Sequence, residues 1–186
     1  MTEQIMEASP GPRARMTGVV YLLYFVTAIS AEAFIGHSRI VAYDAVNIIS
    51  HAFYVSVTLL FYYMFKPVSG PLSLLAALFS LAGCANDILG LFNRSPYKIN
   101  SLVFFAPYCL LIGYLILKST FLPRFLGVLM VSAGLGWLIF MSPRAERLST
   151  YIEILGIAAE GSLMLWLVVK GVNLQRWNDQ ASAAVK

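Results

Sequence analysis

The apolar stretch over residues 151–172 places the tightest constraint on this chain, because it carries a carboxylate near its centre. At about 1.5 Å per residue, a helix of this length crosses a bilayer core of about 30 Å. Glu160 then lies near the bilayer midplane, where an ionised carboxylate costs roughly 2.5–3.5 kcal/mol on insertion scales. Glu153 and Gly156 precede Glu160 by seven and four residues and share its helix face. We expect this face to be enclosed by the rest of the protein.

The composition agrees with a chain that crosses a membrane several times. Hydrophobic residues make up 59% of the chain and charged residues 12%, whereas soluble domains carry about 45–50% and about 25%. This balance predicts an all-α integral membrane bundle and excludes a soluble domain held by one anchor. Cys84 and Cys109 both fall within apolar stretches, so no disulfide framework is indicated.

Six apolar stretches of spanning length follow one another between polar breaks, and each predicts a transmembrane helix. They cover residues 16–35, 44–65, 71–92, 99–117, 124–141 and 151–172. We therefore predict a single six-helix transmembrane domain over residues 13–172. A short tail over residues 1–12 precedes it, with Pro10-Gly11-Pro12 as a breaker, and a polar tail over residues 173–186 follows it.

The first apolar stretch also resembles a secretory signal peptide. Arg13 and Arg15 form a basic start, an apolar core follows, and Ala31-Glu32-Ala33 supplies small residues at a cleavage position. The apolar run continues beyond that position and is long enough to span a membrane. We expect the first helix to be retained, with cleavage as the alternative.

The positively charged residues predict the orientation of the bundle. Six crossings place both termini on one side, and that side carries eight Lys and Arg residues against five on the other. The larger set is Arg13, Arg15, Lys66, Lys118, Arg124, Lys170, Arg176 and Lys186, and the smaller set is Arg39, Arg94, Lys98, Arg144 and Arg147. Both termini are therefore expected in the cytoplasm. The scattered cations form no cluster, so the lipid bilayer is the expected partner and nucleic acid is not.

Three runs of sequence resemble a known family. The run GYLILKSTFLPRFLGVLMVSAGLGWLI at 113–139 and the ending AEGSLMLWLVVKGV at 159–172 resemble bacterial membrane proteins grouped as domain of unknown function 4386. The opening RMTGVVYLLYFVTAISAEAF at 15–34 is similar to their first helix, and FLPRFLGVL at 121–129 is the most specific part. Glu160 fits the family's carboxylate in the last helix. The resemblance implies a multi-pass protein of the bacterial inner membrane and implies no activity.

With the termini inside, the polar side chains within the spans concentrate in the outer half of the bundle. They are Glu32, Asp44, Asn47, His51, Asn86, Asp87 and Glu153, with Glu160 at the midplane. Asn47 and His51 are four residues apart and share a helix face. Because lipid-facing charge is costly at these depths, the pattern predicts an acidic cavity that opens outwards above Glu160. We take these residues, other than Asp44, as the ligand-binding candidates.

Two interpretations of this pattern need no chemistry beyond binding. In the first, the acids and amides bond across helices, at about 0.6–2 kcal/mol each, with a protonated Glu160. In the second, Glu160 titrates while Asp87 and Glu153 line the entry for a small cationic molecule or protons. Tyr43, Tyr54, Tyr97 and Tyr108 are candidate lining residues. Six short helices make a small transporter, so this interpretation predicts a homodimer.

A third interpretation is an intramembrane metal-dependent hydrolase. His51, Asp87, Glu153 and Glu160 are ligand types for zinc, which would activate a water molecule. The chain contains no HExxH motif and no paired histidines. No catalytic residue, metal or cofactor is therefore assigned, and binding or transport ranks above catalysis.

Overall fold

The computed structural model describes residues 10–35, 40–92, 99–142 and 147–184, and the regular structure in these ranges is entirely helical. The helices are α1 Pro10–Ser30, α2 Ile40–Phe65, α3 Gly70–Leu91, α4 Leu102–Lys118, α5 Arg124–Phe140, α6 Ser149–Val169 and α7 Leu174–Ala183. A π-helical turn over Ala31–Ile35 follows directly after α1. The predicted all-α class is confirmed for this part of the chain.

Four helices are long and apolar enough to cross a membrane. They are α1 with its π-helical turn, α2, α3 and α6. Helices α4 and α5 are shorter apolar helices of 17 residues each. Large apolar side chains remain exposed on the outer face of all six, for example Val26, Leu78 and Ile157. Soluble proteins rarely expose apolar surface on this scale, and helices of this kind are typical of membrane proteins.

Both ends of the chain differ from the sequence-based prediction. Helix α1 begins at Pro10 rather than at residue 16. Prolines are tolerated in a first turn, where the missing N–H has no intrahelical acceptor, so Pro10-Gly11-Pro12 does not break the chain. Part of the predicted polar tail forms α7, whose first turn is capped by the Asn173 side chain accepting from the Arg176 N–H at 3.1 Å.

Helices α1 to α6 form a closed ring. Each helix packs against its neighbours in chain order, and α6 packs against α1. The ring interior is filled by fully buried side chains, including Tyr21, Phe61, Phe65 and Tyr108. The Thr58 hydroxyl on α2 lies 2.6 Å from the Ser80 hydroxyl on α3.

Two helix pairs of the ring, α4–α5 and α1–α6, pack closely because glycine lets their backbones approach each other. We call each such contact between neighbouring helices a seam. A Cβ atom on Gly113 of α4 would lie 2.7 Å from the Val131 backbone N of α5. A Cβ atom on Gly18 of α1 would lie 2.5 Å from the Val168 backbone N of α6. Neither position has room for a side chain, so glycine sets the distance between these helices.

Helix α7 lies across one end of the ring. The Trp177 indole N–H donates to the Met64 carbonyl at the end of α2, at 3.0 Å. The Thr120 N–H, in the turn between α4 and α5, donates to the Gln180 side chain at 3.1 Å. We call this the α7 end of the ring, and it also holds the start of α1, where Gly11 lies against Leu174.

Candidate functional site

Glu160 projects from α6 toward α1 and is bound there by a tyrosine. The Tyr21 hydroxyl donates to the Glu160 Oε2 at 2.5 Å, across 139 residues of sequence. Tyr21 is completely buried, and Glu160 is partly buried. Of the face that was expected to be enclosed, Gly156 is buried and Glu160 is held by this contact between the last and first helices of the ring. The expectation is wrong for Glu153, which is exposed nearer the start of α6.

Three more tyrosines surround this pair, and with Tyr21 we call them the tyrosine cluster: Tyr21, Tyr24, Tyr54 and Tyr108. The Tyr54 ring on α2 lies 4.6 Å from the Tyr24 ring and 6.1 Å from the Tyr108 ring, measured between centroids. The buried Tyr108 hydroxyl on α4 has no hydrogen-bond partner among the described residues. Three helices therefore contribute tyrosines to one aromatic cluster, and its member Tyr21 binds the carboxylate on α6.

Glu160 forms no ion pair with any residue in the described ranges, in contrast to Asp87, which pairs with His51. An ionised carboxylate without a cationic partner is costly in an apolar interior. A hydroxyl donor such as Tyr21 compensates only part of that cost. The arrangement can therefore hold a proton, or a cation, at the Glu160 carboxyl group.

A second polar group lies at the end of the ring opposite α7, in an open cleft of about 480 Å³ between α2 and α3. We call it the acidic cleft. Its polar lining residues are Tyr43, Asp44, Asn47, His51 and Asp87, and its other lining residues are Ile40, Gly90 and Leu91. Asn47 and His51 share a helix face, as their spacing predicts, and both line this cleft. Asp44 and Asp87 give it an acidic character.

His51 and Asp87 form a pair that can hold a proton. The His51 Nδ1 lies 2.8 Å from the Asn47 carbonyl oxygen, which can only accept, so Nδ1 carries a hydrogen. The His51 Nε2 lies 3.3 Å from the Asp87 Oδ2. When the imidazole is protonated, Nε2 also carries a hydrogen and donates to the Asp87 carboxylate, so this pair can bind and release one proton at the cleft surface.

Ser101 completes this group, although nothing in the sequence singled it out. Its hydroxyl donates to the Asp87 Oδ1 in a short contact, and the Asn86 amide donates to the Ser101 Oγ at 2.8 Å. Ser101 contacts the aspartate rather than His51, so the group lacks the serine–histidine contact of a nucleophilic triad. The network instead orients Asp87 toward His51.

Helix α2 contributes to both polar groups. Tyr54 of the tyrosine cluster follows His51 of the acidic cleft by three residues, and the Tyr54 ring packs on the Tyr24 ring of α1. The cleft and the aromatic interior of the ring therefore share one helix.

Two more predicted site residues lie outside the lining of the acidic cleft and outside the tyrosine cluster. Glu32, on the π-helical turn, accepts a hydrogen bond from the Tyr43 hydroxyl of the cleft at 2.5 Å. Glu153 is exposed on α6. Tyr97 lies outside the described residues.

Within the described ranges, no three His, Cys, Asp or Glu side chains gather as metal ligands. The zinc ligand set considered from the sequence is therefore not brought together.

Comparison with known proteins identifies the family of the chain. The family described as "Domain of unknown function (DUF4386)" matches residues 97–171. A protein of Archaeoglobus fulgidus called "Uncharacterized protein" is 30% identical over 131 residues, which are 64% of this chain and 78% of the relative. No solved structure matches. The matched region includes both α4 with Tyr108 and α6 with Glu160, and the resemblance noted in the sequence is confirmed: the chain belongs to the DUF4386 family.

Proposed function

We propose that this protein exchanges protons for a small organic cation across a membrane, with the acidic cleft as the cation site and Glu160 as the buried proton site. The observation that carries the proposal is the Glu160–Tyr21 pair, which places a carboxyl group without a cationic partner, among the described residues, inside a ring of helices. A proton needs no cavity, so it suits this closely packed environment.

The six helices of the ring support a six-span arrangement. Helices α4 and α5, with 17 residues each, reach about 25 Å, at the short end of the spanning range. They occupy ring positions equivalent to those of the longer helices. Six crossings put both termini at the α7 end, and the distribution of Lys and Arg favours the cytoplasm for that end. The location that follows is the inner membrane, with the acidic cleft facing outwards.

The acidic cleft supports a cationic ligand. Its described lining contains two aspartates and one histidine but no Lys or Arg. A bound cation would gain from the negative charge of Asp87 and would compete with the proton of the His51–Asp87 pair. Helix α2, which carries both His51 and Tyr54, connects the cleft to the tyrosine cluster. Because six short helices enclose little volume, we propose that the active form is a homodimer.

The direct test measures the binding of a cation at two pH values. Ethidium serves as the probe cation, and its fluorescence anisotropy is followed with the purified protein in detergent at about pH 6 and about pH 8, on either side of the usual histidine range. Loss of a proton makes the cleft more negative, so ethidium is expected to bind more tightly at the higher pH. Asp87→Asn should weaken binding at about pH 8 by about tenfold, or about 1.4 kcal/mol.

The matched control for Asp87→Asn is Asp179→Asn, which removes the same charge from α7 at the opposite end of the ring. Its binding should equal that of the unmodified protein. Equal losses in both variants would show that ethidium responds only to net charge, and binding that does not change between the two pH values would remove the proton-exchange proposal.

Chemical labelling tests where the acidic cleft opens. In a chain with Cys84 and Cys109 replaced by alanine, Asp87→Cys should react with an impermeant thiol reagent added outside intact cells, because Asp87 lines the open cleft and its side chain is 34% exposed. Arg147→Cys, exposed before α6, should react from the same side. Lys66→Cys, exposed at the α7 end, should react only after the cells are permeabilised. If Asp87→Cys did not react while Arg147→Cys reacted in the same experiment, the result would contradict an outward-facing cleft.

A further inference from the structure

Three cations surround a groove at the α7 end, outside both polar groups described above. The groove has a volume of about 800 Å³ and lies between α7 and the turn that joins α4 to α5. Its basic residues are Lys118 at the end of α4, Arg124 at the start of α5, and Arg176 on α7. We call it the basic groove.

The basic groove is built by contacts that hold α7 in place. The Arg176 guanidinium donates to the Thr120 carbonyl at 3.3 Å, and the Thr120 hydroxyl donates to the Gln180 side chain at 3.2 Å. The Lys118 ammonium lies 5.6 Å from the centre of the Tyr114 ring. These contacts bring Arg176 next to two cations that lie more than fifty residues earlier in the chain.

The positive charge of the groove is largely uncompensated. Asp179 is the acid among its lining residues, so the lining carries three positive charges and one negative charge. None of the three cations forms an ion pair with Asp179 in the described part of the chain. In addition, Pro123 at the N-cap of α5 provides no side-chain hydrogen bond to the first turn of that helix. An anion placed here would meet cations on three sides.

Apolar surface begins next to the groove. Phe125 and Val128, on the first two turns of α5, are 51% and 54% exposed. The Phe125 ring packs against the Trp166 ring of α6 at 5.8 Å, an aromatic pair of the kind found at membrane–water boundaries. The basic groove therefore lies where a lipid headgroup would meet the bilayer, with acyl-chain surface directly beside it.

We propose that the basic groove binds the phosphate of an anionic phospholipid, whose acyl chains lie along Phe125 and Val128. Lys118, Arg124 and Arg176 hold the phosphate, and Arg176 makes the site depend on α7. The lipid thereby fastens α7 to the α4–α5 turn. This inference rests on the membrane embedding proposed above but not on proton exchange, so the ethidium measurement and the lipid measurement can fail separately.

The test uses the full-length protein in a neutral detergent and counts bound lipid by native mass spectrometry. The probes are dioctanoyl-phosphatidylglycerol, dioctanoyl-phosphatidylcholine and inorganic phosphate. We expect the phosphatidylglycerol to bind at least about tenfold more tightly than the phosphatidylcholine, and inorganic phosphate to compete only weakly, because it gains nothing from Phe125 and Val128. Lys118→Gln and Arg176→Gln should each weaken phosphatidylglycerol binding by about fivefold, which is close to the contribution of one Lys or Arg to binding at an anionic lipid surface.

Two matched controls remove the same charges at the same end of the ring but outside the groove. Lys66→Gln is paired with Lys118→Gln, and Arg15→Gln is paired with Arg176→Gln; both control positions are exposed. Equal losses in control and groove variants would overturn the proposal in favour of diffuse surface charge. Equal binding of both lipids would overturn it in favour of apolar contact alone, and strong competition by phosphate would identify a free-anion site instead. Lys118→Gln leaves the α7 contacts intact, so it remains informative if Arg176→Gln releases that helix.

Discussion

Replacing Gly18 with valine is expected to lower the free energy of unfolding by about 3 kcal/mol or more and to separate α6 from α1. A Cβ atom at this position would lie 2.5 Å from the Val168 backbone N and 2.8 Å from the Leu167 carbonyl carbon. Backbone atoms cannot turn aside as a flexible side chain can, so the helices must move apart. Unfolding of the purified protein by added denaturing detergent, followed by circular dichroism, measures the change.

The control for this substitution is Gly161→Val on α6. No atom lies within 4 Å of a Cβ built on Gly161, so valine should change the free energy of unfolding by less than about 0.5 kcal/mol. If Gly18→Val were as stable as Gly161→Val, the seam between α1 and α6 would be looser than the structure shows. The contact between Glu160 and Tyr21 would then lose its support.

Replacing Glu160 with alanine is expected to cost about 3 kcal/mol, whereas glutamine should cost about 1 kcal/mol or less. Alanine leaves the fully buried Tyr21 hydroxyl without its acceptor and creates a cavity. Glutamine keeps an oxygen that accepts from Tyr21 and fills nearly the same volume. The same denaturing-detergent titration compares the two variants with the unmodified protein.

Glutamine at position 160 also separates a structural role from a proton-binding role, because it cannot take up a proton. In proteoliposomes with a trapped pH-sensitive dye, ethidium-driven proton movement should be lost in Glu160→Gln and retained in Glu153→Gln, a variant of an exposed glutamate on the same helix. Unchanged proton movement in Glu160→Gln would leave only the structural role. A stability loss in Glu160→Gln equal to that of Glu160→Ala would show that the native carboxyl group is ionised and essential for the fold.

Much of the helical layout could be predicted from the sequence, because hydropathy alone marks where a chain can be buried in lipid. Helix α7 could not be found this way, since its residues are mostly polar. The signal that was available was the spacing of Leu174 and Trp177, three residues apart on one helix face. Those side chains contact the α7 end of the ring through Gly11 and Met64.

The two polar groups differ in how far the sequence could predict them. Asn47 and His51 lie on one helix, so their shared face followed from a spacing of four. Their meeting with Asp87 and Ser101 depends on which helices are neighbours, and that order is not readable from hydropathy. The Glu160–Tyr21 contact depends on the closure of the ring by its first and last helices, so no local pattern contains it.

The closure of the ring also sets when the protein can finish assembling during synthesis. Chains emerge from the ribosome N-terminus first, so α1 is made long before α6. Until α6 arrives, the side of α1 that carries Tyr21 lacks its final partner, and no backbone packs against Gly18. A nascent chain that ends before α6 therefore has no acceptor at Glu160 for the Tyr21 hydroxyl, and its ring stays open between α1 and α5.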